Sequence, residues 1–227
     1  MPGGWFWSLL GKDGSSQLEV DATFFAARSR SMPLPYGSLG HYRSCVRFSL
    51  ANTQAANSRL WEIRNTATNL IVPTRMLVQW TQTGGHTASI RDSLQLFKCT
   101  SFTAVDTTNT VTPTVSTRKG SMAAAPGGAA IRHVTVAGAA AGMTGGTLTK
   151  DGGFVSAIDQ YLIQTVSATI QLMPVFKEMF DDVNGTHPFA FTQNEGMELE
   201  NEVLLGAAAA SSVIVDFSWA EVPTSAF

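Results

Sequence analysis

Four histidines, a run of alternating glutamates and one Asp/Asn/Gly cluster are the groups in this chain from which a reactive or metal-binding site could be built. His41, His86, His133 and His187 share no helical or strand spacing that would aim two of them at one metal ion, and no HExxH pair occurs. The stretch "FDDVNGTHPFAF" places Asp182, Asn184 and Gly185 as in a calcium loop. The first and twelfth ligand positions fall on Phe180 and Phe191, so the leading aspartate and the bidentate glutamate are missing. An Asx-type turn on the Asn-Gly pair is the better reading. Asn184-Gly185-Thr186 is formally a glycosylation sequon, which carries meaning only with a secretory signal.

Paired carboxylates for acid/base work would come from Glu195, Glu198, Glu200 and Glu202. Alternation with Met197, Leu199 and Val203 puts the last three on one strand face, and three carboxylates on a face call for water. A solvated face would leave their pKa values unseparated, against what acid/base catalysis needs. The glycine-rich "AGAAAGMTGGTLTK" lacks the GK[ST] ending of a phosphate-binding loop, and no GxSxG elbow is present. With every local motif missing, the chain is read as a non-enzyme with no cofactor and no metal. Cys45 and Cys99 each fall in an expected strand. They could face one another, but without a disulfide-dense pattern two buried free thiols are expected, and there is no CxxC pair.

The elements that would hold such groups are strands. The run "HYRSCVRFSL" sends Val46, Phe48 and Leu50 one way and Arg47 and Ser49 the other. "RLWEIRN" is a strand packed through Leu60, Trp61 and Ile63. "NLIVPTRMLVQWTQTGG" is a longer one, bulged at Pro73 and ended by Gly84 and Gly85. "QLEVDATFF" and "SLQLFKCTSFT" also read as strands. "FVSAIDQYLIQTVSATIQLMPVF" favours strands over a helix, through its β-branched content and the alternation of Val166, Ala168, Ile170 and Leu172. "KEMFDDVNGTH" reads as a turn or short helix, "PFAFT" as a strand, and Asn194-Glu195-Gly196 as a turn. The last strand places Val213, Val215, Phe217 and Trp219 on one face, with Asp216 and Ser218 opposite. Long loops and few helices then give an all-β sandwich, jelly-roll-like in connection. One β-sandwich domain is expected over 17–227, with a long Gly/Ala/Thr-rich excursion at 101–152 that crosses this subunit or a neighbour.

Composition says what such a sandwich is for. Charged residues make up only 14% of the chain, against about 25% in ordinary soluble domains. A free monomer normally keeps a well-charged surface, so the deficit points to surface covered by partners. The net charge of -2 does not suit a protein that packages nucleic acid. No stretch is apolar for long enough to span a bilayer, and residues 5–10 lack the flanks of a signal peptide. Instead, Trp5, Phe6 and Trp7 sit among flexible glycines and serines. They read as anchors of an extended N-terminal arm, residues 1–16, that grips a neighbour.

Several stretches carry a resemblance. They are "SRLWEIRNTATNLIVPTRMLV", "DSLQLFKCTSFTAVDTTNTVTPTVSTRK" and "HPFAFTQNEGMELENEVLLGAAAASSVIVDFSWAEV". Their marks are a strand ending in Arg64-Asn65, the Phe-rich 96–103 strand before a Thr-rich loop, the Asn194-Glu195-Gly196 turn, and the Trp219-Ala220-Glu221 ending. Together they span about two-thirds of the chain, and the chain resembles virion structural proteins of tailed bacteriophages. The resemblance implies a capsid or capsid-decoration (cement) protein, located in the virion and assembled in the host cytoplasm. Its partners would be copies of itself and other capsid proteins, with no direct nucleic acid, membrane or small-molecule substrate. It supplies no catalytic residues. The alternative is a receptor- or carbohydrate-binding β-sandwich module of a tail or fibre, which needs exposed aromatics such as Tyr36, Trp61 and Trp80.

Overall fold

The computed structural model describes residues 20–21, 26–27, 39–86, 88–117, 126–164, 174–181, 189–206 and 211–224. The chain divides into two compact units, Met1–Pro35 and Tyr36–Phe227. In the first, two short strands pair antiparallel, β1 (Val20–Asp21) with β2 (Ala26–Ala27). The second is an all-β sandwich of two antiparallel sheets, with no α-helix among its described residues.

One sheet has the order β11 (Val175–Asp181), β5 (Leu70–Gln82), β13 (Ser211–Val222), β3 (His41–Leu50), β8 (Ser116–Thr117). The other runs β10 (Thr147–Leu162), β6 (Ile90–Ala104), β12 (Gly196–Asn201), β4 (Arg59–Asn65), β9 (Ala129–Val134), β7 (Thr110–Val111).

The core lies between the sheets and follows the period-2 pattern. On β3, Tyr42, Val46, Phe48 and Leu50 are buried while Arg43, Cys45 and Arg47 are exposed. On β13, Val213, Val215, Phe217 and Trp219 have no solvent exposure, as expected of a strand paired on both sides by β3 and β5. From the facing sheet, β4 supplies Trp61 and Ile63, β12 supplies Met197 and Leu199, and β6 supplies Leu94 and Leu96. The Phe217 ring sits 5.0 Å from Trp61 and 5.5 Å from Trp219, and Trp219 stacks on Tyr42 at 5.5 Å. These distances suit aromatic pairs, each worth about 1 kcal/mol beyond area burial.

Pro73 does not end β5. Its missing donor is tolerated because β11 pairs with β5 only as far as Arg75, so no partner on that side asks for the N–H. The register slips on the other side, between Ser218 and Trp219, where Trp219 faces Pro73.

Several expectations are corrected. Lys177 to Asp181 do not form a turn or short helix; they belong to β11, whose pairing with β5 supplies ladder partners that local sequence cannot announce. "PFAFT" is not a regular strand, and among its described residues only Phe191 forms a bridge, to Ile71. Cys45 is exposed on β3 whereas Cys99 is buried in the other sheet, and both are free. The glutamates of β12 do not face water: Glu198 has no exposure and Glu200 is 4% exposed, leaving Glu202 outside. The alternation of Val166 to Leu172 lies outside the described residues, as does most of the 17–25 run, of which Val20 and Asp21 are strand.

The described part of 101–152 holds the end of β6, the short β7 and β8, β9 and the start of β10, joined by irregular stretches at 105–109, 112–115 and 135–146. β7 and β9 extend the six-stranded sheet beyond β4, and β8 extends the other sheet beyond β3. Two connections then have to cross the outer face of the six-stranded sheet. One leaves β6 and must reach β7 at the opposite edge. The other leaves β9 and must reach β10.

Candidate functional site

The short patterns singled out in the sequence meet at one corner of the sandwich. Arg64 donates from Nη2 to Asn194 Oδ1 at 2.6 Å. The backbones of Asn65 and the turn interlock, Asn65 N–H donating to Glu195 O at 2.9 Å and Asn194 N–H to Asn65 O at 2.7 Å. Phe102, from the Phe-rich strand, donates its N–H to Asn194 O at 2.6 Å. Asn194 has φ 69°, the left-handed region that Asn enters more readily than most residues. Gly196 lies opposite Arg64, and a Cβ there would stand 1.9 Å from the Ile63 carbonyl oxygen.

Glu221 completes the corner. It is 1% exposed. Its carboxylate accepts the successive backbone N–H groups of Gly127 (2.9 Å), Gly128 (3.1 and 3.2 Å) and Ala129 (3.1 Å), together with Asn69 Nδ2 at 3.0 Å. Three consecutive amides converging on one carboxylate form a nest that clamps the start of β9 to the end of β13. The corner's geometry is that of a brace.

Beneath the two crossing connections lies a buried ionic cluster. Glu62 of β4 and Glu198 of β12 are directly paired across the strands, on the face opposite Trp61 and Leu199. Both have no solvent exposure. The β6–β7 connection closes over them: Asp106 donates its N–H to Glu62 Oε1 at 2.8 Å and pairs through its carboxylate with Arg59 Nη2 at 2.9 Å. The second connection lies beside the first, with Gly146 N–H on Asp106 Oδ1 at 2.6 Å and Thr108 N–H on Thr144 O at 2.9 Å. At the other end Lys150 of β10 bonds Glu200 at 2.7 Å and approaches Glu198 only to 3.8 Å. Its ammonium also sits 4.5 Å over the Phe97 ring.

Burial dominates the electrostatics. Desolvation pushes the Glu62 carboxyl up to about 7, the nearby Asp106 charge adds to this, and the Asp106 N–H, Arg59 and Arg132 offset part of it. Glu198 is pushed up to about 8, by burial first and by the Glu200 charge second, against the pull of Lys150 and Arg59. Neither Glu198 oxygen accepts an N–H hydrogen bond among the described residues. Burial raises the Cys99 thiol too, and the carboxylates around it add to the effect. Carboxyl groups so shifted are of the type used as acids, but with no exposure they meet no substrate while the roof is closed. Among the described residues, no three His, Cys, Asp or Glu side chains are arranged to hold a metal. The sequence pattern could show that Glu198, Glu200 and Glu202 alternate with apolar residues; it had no way to show that a distant segment lies on top.

A third feature is exposed. β10 and β11 are the edge strands of their sheets and run close together on one side, where Lys177 Nζ donates to Ala157 O at 2.5 Å. Beside this rim Phe154 (53% exposed), Tyr161 (63%) and Ile163 (43%) stand on or just after β10 and Phe176 (58%) on β11, with Phe154 and Tyr161 on the outer face of the six-stranded sheet and Phe176 on the outer face of the five-stranded one. Such residues are normal singly; four beside one pair of edge strands are less so. A shallow open hollow of about 260 Å³ lies elsewhere, beside Ser49, Asn52, Thr83 and Ser211, with no charged group in its lining.

Trp5, Phe6, Trp7 and Tyr36 lie outside the described residues, as do His187, Asp182, Asn184 and Gly185. Trp61 and Trp80 are fully buried core residues, not ligand-stacking platforms. His86 and His133 are buried with ring pKa values lowered by desolvation, and His41 lies on β3 with its Nε2 3.3 Å from Thr74 Oγ1. Comparison of the chain with protein-family models, with curated proteins and with solved structures finds no match.

Proposed function

We propose that this chain is a structural subunit of a bacteriophage particle, in or on the capsid, that assembles with copies of itself or with other shell proteins. The observation that carries this reading is the rim of β10 and β11, with Phe154, Tyr161, Ile163 and Phe176 largely in solvent on a chain with only 14% charged residues. Aromatic anchors on a surface poor in charge suit protein–protein burial. The strand order supports it. The order of the long strands, β3, β13, β5 and β11 in one sheet and β4, β12, β6 and β10 in the other, supports a jelly-roll reading, an architecture used by capsid and lectin domains alike. The carbohydrate-binding alternative loses Trp61 and Trp80, two of its three named aromatics, to the core.

The experiment is light scattering on the full chain over a concentration series, with the triple variant Phe154→Ser, Tyr161→Ser, Phe176→Ser alongside. The wild type is expected to associate. The triple variant should shift the midpoint of association upward by about 100-fold or more, as loss of several anchors implies, with circular dichroism and Tm unchanged. A wild type that stays monomeric at the highest soluble concentration refutes assembly with copies of itself, as does a triple variant that associates equally well.

A further inference from the structure

We propose that the two connections crossing the outer face of the six-stranded sheet form a proton-keyed latch, closed while the carboxyls of Glu62 and Glu198 hold protons and opened when they release them. The geometry comes first. The strand order forces the β6–β7 and β9–β10 connections over the same two central strands, and the residues they cover are carboxylic acids. The roof is tied to the sheet where buried Met143 donates its N–H to Arg59 O at 2.8 Å, and the two connections are laced together by the Thr107 and Thr108 N–H groups on Thr144 O at 3.1 and 2.9 Å. Asp106 is its keystone, fully buried, receiving Gly146 N–H and Arg59 on one oxygen while its own N–H rests on Glu62.

The charged groups facing the pair do not balance two anions. Arg59 comes from β4, Arg132 from β9 and Lys150 from β10, while Asp106 from the β6–β7 connection and Glu200 from β12 add negative charge; the Cys99 thiol of β6 completes the surroundings. Arg59 is engaged by Asp106 and Lys150 by Glu200, at 2.9 and 2.7 Å. An ionised Glu198 is left with an ammonium 3.8 Å away and no solvent exposure, a costly position in an interior. Opening the roof rehydrates it. The raised values of about 7 for Glu62 and about 8 for Glu198 agree with this. The closed state binds more protons than the open one between the ordinary carboxyl range and those values. Closure is therefore strongest in acid, weakens as pH rises, and levels off above about pH 8.

The test is hydrogen exchange on the full chain from pH 5 to pH 9, expressed as protection factors, with the Asp106 and Gly146 amides reporting the roof and Val215 reporting global unfolding. Roof amides are expected to lose protection by ~10-fold per pH unit for each proton released, up to about pH 8, while staying less protected than Val215 throughout. The double variant E62Q/E198Q should flatten that dependence. Roof amides that match Val215 at every pH overturn the latch, as does a pH dependence that survives in the double variant. Should the double variant not fold, side-chain carboxyl carbon-13 shifts of the wild type decide. Two carboxyls titrating in the neutral-to-alkaline range support the proposal; both titrating below about pH 5 refutes it.

Discussion

Replacing Glu221 by alanine tests whether the corner is a brace. The carboxylate receives four donors at 2.9 to 3.2 Å, three of them consecutive backbone amides. Alanine leaves Gly127, Gly128 and Ala129 with N–H groups pointing at a void in a buried corner. Hydrogen bonds to a charged acceptor contribute about 1.5–3 kcal/mol each, and a stranded buried donor costs about 1–3 kcal/mol. Burying the anion itself is unfavourable, and its removal recovers part of the loss. Partial access of water to the exposed side of Gly127 reduces it further. The net expectation is a destabilisation of ~3–5 kcal/mol. Glutamine keeps one acceptor oxygen but turns an NH₂ toward N–H groups, so Glu221→Gln should cost ~2–3 kcal/mol. The assay is urea unfolding followed by tryptophan fluorescence, with m-values compared to confirm that the denatured state is unchanged. Trp219, two residues away and buried, makes the signal sensitive to this region. A loss below about 1 kcal/mol for Glu221→Ala would refute the reasoning, since that is the size of an ordinary surface substitution.

Gly196→Ala should be severe, about 3 kcal/mol or more, because a Cβ 1.9 Å from the Ile63 carbonyl forces β12 away from β4; thermal unfolding reads it, and an unchanged Tm would contradict the close approach. Glu198→Gln should alter the pH dependence of stability. The native carboxyl sits at about 8, above its unfolded value near 4.5. Its contribution is thus fully present in acid and is lost as pH rises through the neutral range to about pH 8. Denaturation midpoints of wild type and variant should lie close together at pH 5, and by pH 9 the variant should be more stable by ~4 kcal/mol; parallel pH curves would show that the carboxyl does not titrate there.

Much of the fold was legible from alternation. The buried faces of β3, β4 and β13 follow from Val46/Phe48/Leu50, Trp61/Ile63 and Val213/Val215/Phe217/Trp219, because a strand with one face in a core needs apolar residues two apart, whereas Leu60 is buried on the opposite side of β4. The Asn194-Glu195-Gly196 turn was legible for a local reason too, since Asn tolerates positive φ and Gly carries no side chain. β11 was not legible at Lys177 to Asp181: an edge strand with one solvated face has weak apolar periodicity, and its ladder with β5 is a contact across about 100 residues of chain. The rim aromatics escaped notice for a related reason, as exposure of Phe154 or Phe176 depends on which strands lie at the sheet edges.

The all-β class, the composition of the core and the shortage of charge need nothing beyond residue type and a repeat of two. What the carboxylates do depends on how the sheets and their connections are assembled. Alternation assigns Glu62, Glu198 and Glu200 to the face away from the core, but the solvent on that face is removed by residues 105–108 and 143–146, which reach it because β7 and β10 lie at opposite edges of one sheet. Whether a charged side chain meets water or a roof is a property of chain crossings, and no local pattern encodes a crossing.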